Sequence, residues 1–354
     1  MKKNKRWKYL RHQARRMKKC ARQRKLHKSN RLIRIHKNVA HSMKYGGKPH
    51  SRVFPEIVAP RDFRFLDNTE ECATFFKQLR STSNVSEKNF QRFKKVSLFD
   101  IELIDFSAVL TLSAICKELK CQNINVQGNF PQNESCRSFL VDSGFLDNKY
   151  DINGKMFHLQ SRTKSMTFEQ GQGKLLVKDI RNIATLSNLI IQYLDDNPND
   201  NHPFALPQLF KEICANSIEW SNSYKRQWAL AAKFEKDKVL VATIDLGQGI
   251  LNSLTRRYFA LIKDILTLKS NVGVLEGAFC KKYGSKSNEI NRNRGLPSLK
   301  SAFEQGVIAK LIVITNNVLL SFDPWHNNCT FAKSNDAFKG TMYYFEINKN
   351  CLTA

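Results

Sequence analysis

The sequence predicts an α/β protein with two folded domains behind a basic N-terminal arm. From Val53 onwards, apolar runs of strand length alternate with stretches of helical periodicity, which is the pattern of an α/β fold. Of the 354 residues, 42% are hydrophobic, which is enough for about two domains with cores of their own. Residues 1–52 differ from the rest, since they hold 20 Lys or Arg and no Asp or Glu.

The basic arm is predicted over residues 1–52, either as a helix or as a disordered segment. Apolar side chains recur from Trp7 to Ala21 at spacings of three and four, which would form one narrow stripe on a helix. Such a concentration of positive charge favours an anionic partner, and phosphate neutralisation makes nucleic acid the first choice. An anionic membrane surface, an acidic protein and a solubilising tail without a partner remain alternatives.

The nine cysteines are scattered along the chain, and no two of them form a CxxC pair. This spacing is typical of reduced thiols in a cytoplasmic protein and offers no cluster for zinc. The sequence has no run of 18 apolar residues, so no transmembrane segment is predicted. No apolar segment follows the basic N-terminus as it would in a signal peptide. We therefore expect a cytoplasmic protein.

Residues 53–155 are predicted to form a small α/β domain. Two helices, a strand, a helix, a strand and a final helix follow one another, and Gly144 would end the last helix. This order implies a small parallel or mixed sheet covered by helices. The predicted bounds, in the same order, are Glu70–Leu79, Ser86–Phe93, Val96–Leu103, Phe106–Leu119, Ile124–Val126 and Glu134–Ser143.

Residues 165–350 are predicted to form the second domain, after a polar connection at 147–165. Residues 195–203 have the composition of a loop, and a stretch rich in Gly, Ser and Asn covers 271–297. The predicted helices are Lys178–Leu194, Leu206–Ser221 and Leu251–Leu266, and the predicted strands are Val239–Asp245, Ile308–Thr315, Val318–Phe322 and Thr341–Ile347.

The first motif with chemical content lies on the predicted helix 206–221. Glu212 and Asn216 are four residues apart there, so they share one face of the helix. A carboxylate and an amide in this arrangement can hold a hydrated magnesium ion and orient a water, because Mg²⁺ prefers oxygen ligands and keeps several waters. Taken alone, Glu and Asn at this spacing usually mark only a solvated helix face.

A second motif, Asp245-Leu-Gly-Gln-Gly, directly follows a predicted buried strand. Its carboxylate can accept a hydrogen bond from an exocyclic amine such as that of adenine. A tight turn that needs glycine is the alternative explanation. In both cases, Asp245 is expected at the end of a strand.

Two further motifs follow along the chain. Arg292, Arg294 and Gly295 form a basic loop before a helix, and backbone N–H groups at a helix start suit phosphate oxygens. Gly340 and Thr341 enter the last strand, where a hydroxyl could close a base pocket. An ordinary basic loop and a plain strand start are the alternatives.

The order of the four motifs resembles the asparagine box and the three glycine boxes of the GHKL superfamily, to which DNA gyrase and the histidine kinases belong. The resemblance covers roughly residues 165–350. It implies the Bergerat fold, an α/β sandwich in which helices cover one mixed sheet. The cofactors that it implies are ATP and Mg²⁺, with ATP lying between the two layers under a flexible lid.

This resemblance also assigns roles to individual residues. Asn216 would ligate Mg²⁺, and Glu212 would be the general base of a hydrolysing member. Residues 271–297 would form the lid. The remaining implied contacts are Asp245 and Thr341 on adenine, Gly247 and Gly249 where the backbone approaches the nucleotide, and Arg292, Arg294 and Gly295 near the phosphates.

The segment from about residue 95 to residue 150 resembles a STAS domain. STAS and GHKL domains act together in bacterial anti-sigma switching systems, so their combination implies a regulatory protein. Some STAS domains are phosphorylated near the position of Ser107, although a serine there also fits an ordinary helix N-terminus. The matching stretches are Val96–Asp105, Phe106–Leu112, Ile124–Pro131 and Phe139–Phe145.

Three functional hypotheses follow. The first is a slow Mg²⁺-dependent ATPase, a regulatory protein that engages nucleic acid through residues 1–52 and could form a homodimer. The second is an anti-sigma-like serine/threonine protein kinase that acts on a STAS-domain partner protein or on its own STAS-like domain. The third is a binding module in which ATP is a structural ligand.

Overall fold

The computed structural model describes residues 55–83, 85–88, 91–146, 166–195, 205–220, 226–257, 270–280, 295–324, 326–334 and 337–353. The chain divides into two compact units, Met1–Val53 and Phe54–Ala354, and all described residues belong to the second. The predicted arm at 1–52 and the predicted connection at 147–165 therefore lie outside the described residues. Helices and sheets alternate through the second unit, which confirms the predicted α/β class.

Residues 55–146, which we call the N-terminal layer, contain a four-stranded sheet and three helices. The elements are β1 (Glu56–Val58), β2 (Asp62–Phe63), α1 (Thr69–Arg80), β3 (Ser86–Lys88), β4 (Gln91–Ser97), β5 (Leu103–Ile104), α2 (Phe106–Cys121), β6 (Ile124–Gly128) and α3 (Glu134–Asp142). Strand β4 pairs parallel with β1 and β6 and antiparallel with β3, so this sheet is mixed. Strands β2 and β5 form a separate parallel pair.

The rest of the unit is one seven-stranded sheet with helices. Its elements in chain order are β7 (Met166–Gln172), α4 (Val177–Leu194), α5 (Ala205–Trp220), β8 (Gln227–Glu235), β9 (Lys238–Asp245), α6 (Ile250–Arg257), α7 (Asn271–Phe279), α8 (Gly295–Glu304), β10 (Ala309–Asn316), β11 (Val318–Ser321), β12 (Cys329–Thr330), β13 (Phe338–Asn348) and a final 3₁₀ turn (Lys349–Leu352). The spatial order of the strands is β12-β11-β10-β13-β9-β8-β7.

Every pairing in the seven-stranded sheet is antiparallel, so the mixed sheet expected here is wrong. The helical segment between β9 and β10, which contains α6, α7 and α8, returns the chain so that these two strands run in the same direction. However, β13 lies between these two strands and is antiparallel to both. Hairpins supply the β8–β9 and β10–β11 pairs, and hairpins are antiparallel by construction.

The two faces of the seven-stranded sheet are both buried. Side chains alternate along β9, so Val241 packs with the helices α4–α8 whereas Ala242 packs with the N-terminal layer. Helix α2 lies behind β8 and β9, and α1 lies against β13. Aromatic rings join the layers at Phe65 and Phe338, whose centroids are 5.1 Å apart. The N-terminal layer therefore covers the rear of the sheet.

Several predicted elements are confirmed with small changes in their bounds, but three stretches differ. The single strand predicted at Val96–Leu103 is wrong, because β4 ends at Ser97 and residues 98–102 form no strand before β5. The helix predicted at 86–93 is wrong, because the chain there forms β3 and the start of β4, whose pairing with three other strands overrides the local periodicity. Part of the Gly-, Ser- and Asn-rich stretch 271–297 is the helix α7. Ser270 caps this helix by accepting from the N–H of Gly273, and Leu275 is fully buried.

Strands β7 and β8 were not predicted at all.

Gly144 has a φ of +73°, as expected for a glycine that ends a helix. Among the helices of the described ranges, none combines the length and apolar character needed to cross a bilayer.

Candidate functional site

Four residues on neighbouring strands form one row across the seven-stranded sheet. The register places Trp228 of β8 opposite Asp245 of β9, Asp245 opposite Thr341 of β13, and Thr341 opposite Thr315 of β10. Residues paired in register point to the same face of the sheet. Because side chains alternate along each strand, these four residues lie on the same face as Val241, which is the face that α5 covers. The predicted pair Asp245 and Thr341 is therefore adjacent and faces the helix that carries Asn216.

Asp245 is a buried carboxyl group at the end of β9, with 6% of its surface exposed. Burial raises its pKa from 3.8 to about 7, because the charged form loses its hydration. Hydrogen bonds from the backbone N–H of Gly247, at 2.8 Å, and from the hydroxyl of Thr341 act in the opposite direction, and so does the charge of Arg80. The group is thus held between its neutral and ionised forms near neutral pH.

Thr315 completes the polar row and was not singled out from the sequence. Its Oγ1 donates to the carbonyl of Gly340 at 3.0 Å and lies 3.2 Å from Oγ1 of Thr341. The same oxygen accepts from the backbone N–H of Ile250 at 2.9 Å. Thr315 therefore ties the start of α6 to the strand that carries Thr341, and only the strand register reveals it.

The turn after Asp245 is fixed by Asn316, a second residue that sequence reasoning missed. Its Oδ1 accepts from the N–H of Leu251 at 2.9 Å, and its Nδ2 donates to the carbonyl of Gln248 at 2.8 Å. Gly249 has a φ of +81°, and a Cβ there would overlap the Asn316 amide. The need for glycine at 249 is thus explained by this contact and by its backbone conformation. Asn316 is fully buried.

The structure brings together Asn216 and Gly295, two residues from different predicted motifs. Gly295 is the first residue of α8, and a Cβ on it would overlap the side-chain amide of Asn216. The amide therefore packs against the start of a helix, where backbone N–H groups lack partners within the helix. Within the described ranges, no hydrogen bond holds the Asn216 side chain. Glu212, one turn earlier, accepts from Gln208 at 3.0 Å.

The indole N–H of Trp228, the residue paired with Asp245 on β8, is a buried donor without a described partner. Among the residues that the structure describes, none accepts a hydrogen bond from Nε1 of Trp228, although the residue is only 4% exposed. Gly171 on β7 pairs with Trp228, and a Cβ at residue 171 would collide with the indole ring. The indole therefore lies over Gly171 on the β7 side of β8, and its N–H is a buried donor that no described residue satisfies.

Three other candidates are placed less favourably or are not described. Arg292 and Arg294 lie outside the described residues, so their distance from Asn216 is not defined. Ser107 is 1% exposed, and its hydroxyl donates to both carboxylate oxygens of Asp105, at 2.8 and 2.9 Å. In the folded chain, this hydroxyl is therefore a helix-start contact and is shielded from a phosphate donor.

The sequence was also compared with known proteins. No protein-family model and no curated protein sequence matches this chain. Within the described part, no three His, Cys, Asp or Glu side chains are grouped as they would be in a metal site built from those residues. The eight cysteines described are all free thiols.

Proposed function

We propose that residues 165–350 are an ATP-binding domain of the GHKL type, in which Asp245 receives the amino group of adenine. The observation that carries this proposal is the buried pair of Asp245 and Thr341, which faces the helix layer that carries Asn216. A buried carboxyl group beside a hydroxyl can accept from an exocyclic amine while the hydroxyl keeps its own partner. An N–H donor of the ligand also supplies the hydrogen bond that favours the ionised form of Asp245.

The phosphate end of the nucleotide would lie near Asn216 and the start of α8. The side-chain oxygen of Asn216 is a suitable Mg²⁺ ligand, and the first N–H groups of a ten-residue helix favour negative charge. Mg²⁺ would neutralise charge on the phosphates. Arg292 and Arg294 precede this helix directly and remain proposed phosphate contacts.

Glu212 is the proposed general base of a slow ATPase. Glu212 and Asn216 lie one turn apart on α5 and are both partly exposed, which supports a role for the carboxylate near the proposed phosphate end. A carboxylate there can take the proton from an attacking water. Its hydrogen-bond partner among the described residues, the amide of Gln208, is a neutral donor.

The other parts of the chain define the biological setting of this proposal. The N-terminal layer is proposed to be a STAS-like regulatory domain, and residues 1–52 are proposed to bind nucleic acid through phosphate contacts. A homodimer is proposed as the assembled form, and the cytoplasm as its location. ATP binding would then alter the contacts of the layer that covers the rear of the sheet.

The first test is ATP binding by the full chain in the presence of Mg²⁺, measured by calorimetry. We expect binding by the parent protein, loss of binding in D245N, and weakened Mg²⁺-dependent binding in N216A. D237N is the matched control, because Asp237 is an exposed turn residue at the opposite end of the same hairpin. Binding that is equal in D245N and D237N would refute the adenine role of Asp245.

The second test separates the functional hypotheses. With γ-labelled ATP, an ATPase releases free phosphate and slows in E212A, whereas a kinase transfers the label to protein. Equal turnover in E212A and the parent protein would favour ATP as a structural ligand. Turnover should be measured with and without DNA or RNA, on the full chain and on a chain lacking residues 1–50. Stimulation that requires these residues supports a nucleic-acid-dependent ATPase.

A further inference from the structure

One guanidinium group joins the N-terminal layer to both backbone segments of the proposed adenine pocket. Arg80, in the last turn of α1, donates from Nη2 to the carbonyl of Leu246 at 2.6 Å and from Nη1 to the carbonyl of Lys339. Its Nε and Nη2 also donate to the carboxylate of Glu118 on α2, at 2.7 and 2.9 Å. The pair is largely shielded, since the side chains are 18% and 7% exposed.

The two carbonyls that Arg80 holds belong to the residues flanking the pocket. Leu246 directly follows Asp245, and Lys339 precedes Gly340 and Thr341. These segments approach so closely that a Cβ on Gly340 would overlap the carbonyl oxygen of Asp245. The guanidinium is a rigid planar fork, so contacts to both carbonyls fix the distance between the two segments in a way that a single point charge does not.

The charge of Arg80 acts on the same site. It lies close enough to Asp245 to favour the ionised carboxylate. Glu118 in turn holds the guanidinium from the neighbouring helix of the layer, so the position of Arg80 depends on how α1 and α2 pack together. A shift of α1 or α2 would therefore move the guanidinium of Arg80 and change its electrostatic effect on the carboxyl group of Asp245.

We propose that Arg80 is a positioning residue through which the N-terminal layer sets the geometry and ATP affinity of the Asp245–Thr341 pocket. This inference rests on the proposed function and names the route by which the covering layer regulates it. Any event that loosens the Arg80–Glu118 pair separates the two segments and weakens ATP binding. By linkage, bound ATP holds the layer more firmly against the rear of the sheet.

The alternative is that Arg80 and Glu118 form an ordinary structural ion pair between two helices. Such a pair would contribute to the stability of the whole unit without a local effect at the pocket. The experiment must therefore include a readout at the pocket that does not depend on nucleotide, together with the measurement of ATP affinity.

The experiment compares R80Q, R80K and R61Q in the full chain. Arg61 is the matched control, because it also forms an ion pair within the N-terminal layer, with Glu102. Its side chain is 73% exposed, and this pair does not involve the backbone segments of the pocket. In each variant, amide hydrogen exchange is measured without nucleotide over residues 245–249 and 338–342. The affinity for Mg²⁺-ATP is measured separately on the same preparations.

We expect R80Q to exchange about tenfold faster in these two segments, and not in α4, and to bind ATP about tenfold more weakly, the size expected for losing one charge-assisted hydrogen bond. R80K should lie between R80Q and the parent protein, because an ammonium keeps the charge but not the fork. R61Q should match the parent protein in both readouts.

Two outcomes overturn the proposal: exchange in R80Q that rises evenly over the whole unit, or exchange in the two segments that equals that of R61Q. If R80Q does not fold, R80K is judged by the same criteria. Failure of the parent protein to bind ATP would refute the proposed function instead, and the exchange data would still show whether Arg80 holds the two segments together.

Discussion

The side-chain amide of Asn216 packs directly against the backbone of Gly295, so closely that a Cβ at residue 295 would displace the amide. This contact joins the middle of α5 to the first residue of α8. A glycine at this helix start leaves the amide of the proposed Mg²⁺ ligand in its present position. Two motifs that are distant in the sequence thus form one end of the candidate site.

The first prediction concerns G295A. The new methyl group would push the Asn216 amide aside, and because this amide ends a rotatable side chain, we expect a change in the free energy of unfolding of less than about 1 kcal/mol. Mg²⁺-dependent ATP affinity should fall about tenfold, as in N216A. Calorimetry with and without Mg²⁺ measures this effect.

The double variant N216A/G295A provides the control. It should bind Mg²⁺-ATP as weakly as either single variant and no more weakly, since both changes remove the same amide contact. Additive losses in the double variant would show that Gly295 and Asn216 act separately.

The second prediction is a pH dependence of stability that comes from Asp245. Its pKa of about 7 in the folded protein exceeds the ordinary 3.8, so the folded state binds a proton more tightly than the unfolded chain. The resulting stabilisation is fully present below pH 3.8 and is lost as the pH rises through 7. Its size is on the order of 4 kcal/mol, of which about 2–3 kcal/mol disappears between pH 5 and pH 8.

Urea unfolding at pH 5 and pH 8 tests this dependence. D245N lacks the titrating group, so the free energy of unfolding of D245N relative to the parent protein should rise by about 2–3 kcal/mol from pH 5 to pH 8. D237N should follow the parent protein at both pH values. A constant difference between D245N and the parent protein would show that Asp245 does not titrate in this range.

The third prediction concerns G340A. Its Cβ would meet the carbonyl oxygen of Asp245, a backbone atom that cannot rotate away, so we expect a loss of about 1–3 kcal/mol in unfolding free energy. The same displacement should weaken ATP binding about tenfold. G173A is the control, because Gly173 also has a positive φ, +70°, but has open space around it.

G173A should lose about 1–2 kcal/mol from its backbone conformation alone and should bind ATP as the parent protein does. ATP affinities that are equal in G340A and G173A would mean that the close approach of residue 340 to Asp245 has no role in the pocket.

The fourth prediction concerns N316A. This change removes the acceptor for Leu251 and the donor for Gln248, and it places alanine at a φ of +57°, which asparagine tolerates better. We expect a loss of about 2–3 kcal/mol in unfolding free energy and faster hydrogen exchange in α6. N348A is the control, since Asn348 only caps the final 3₁₀ turn, and it should cost about 1 kcal/mol or less.

A cost of N316A no larger than that of N348A, with unchanged exchange in α6, would contradict this role of Asn316. The comparison is made by urea unfolding at one pH and by exchange followed over residues 250–257.

Local sequence patterns predicted some elements well and others poorly. The helices α1, α2, α4 and α5 were predicted because their apolar residues recur with the helical period over several turns. Strand β9 was predicted because it is a continuous apolar run that ends at Asp245. The stretch 86–93 was assigned to the wrong class, since β3 pairs with β4 in a hairpin and β4 is in turn held between β1 and β6, which lie further away in the chain.

The residues of the candidate site also divide into those that local sequence patterns indicated and those that only the folded structure revealed. Asp245, Thr341 and Gly295 were singled out from motifs at strand or helix boundaries, and Asn216 from its spacing of four residues from Glu212 on a predicted helix. Arg80 gave no such signal, since its partners Leu246 and Lys339 are distant in sequence and offer only backbone carbonyls. Thr315 and Asn316 were hidden in what reads as an ordinary strand end.

The sequence by itself determined the α/β class, the helices with a strong apolar period and the position of Asp245 at a strand end, because these depend on interactions between near neighbours in the chain. Only the tertiary structure decided that β13 inserts between β9 and β10 and that the N-terminal layer covers the rear of the sheet. The same holds for the contacts of Asn216 and Arg80. Strand order and contacts between layers arise from side chains that meet only after folding, and no local pattern encodes which partner they meet.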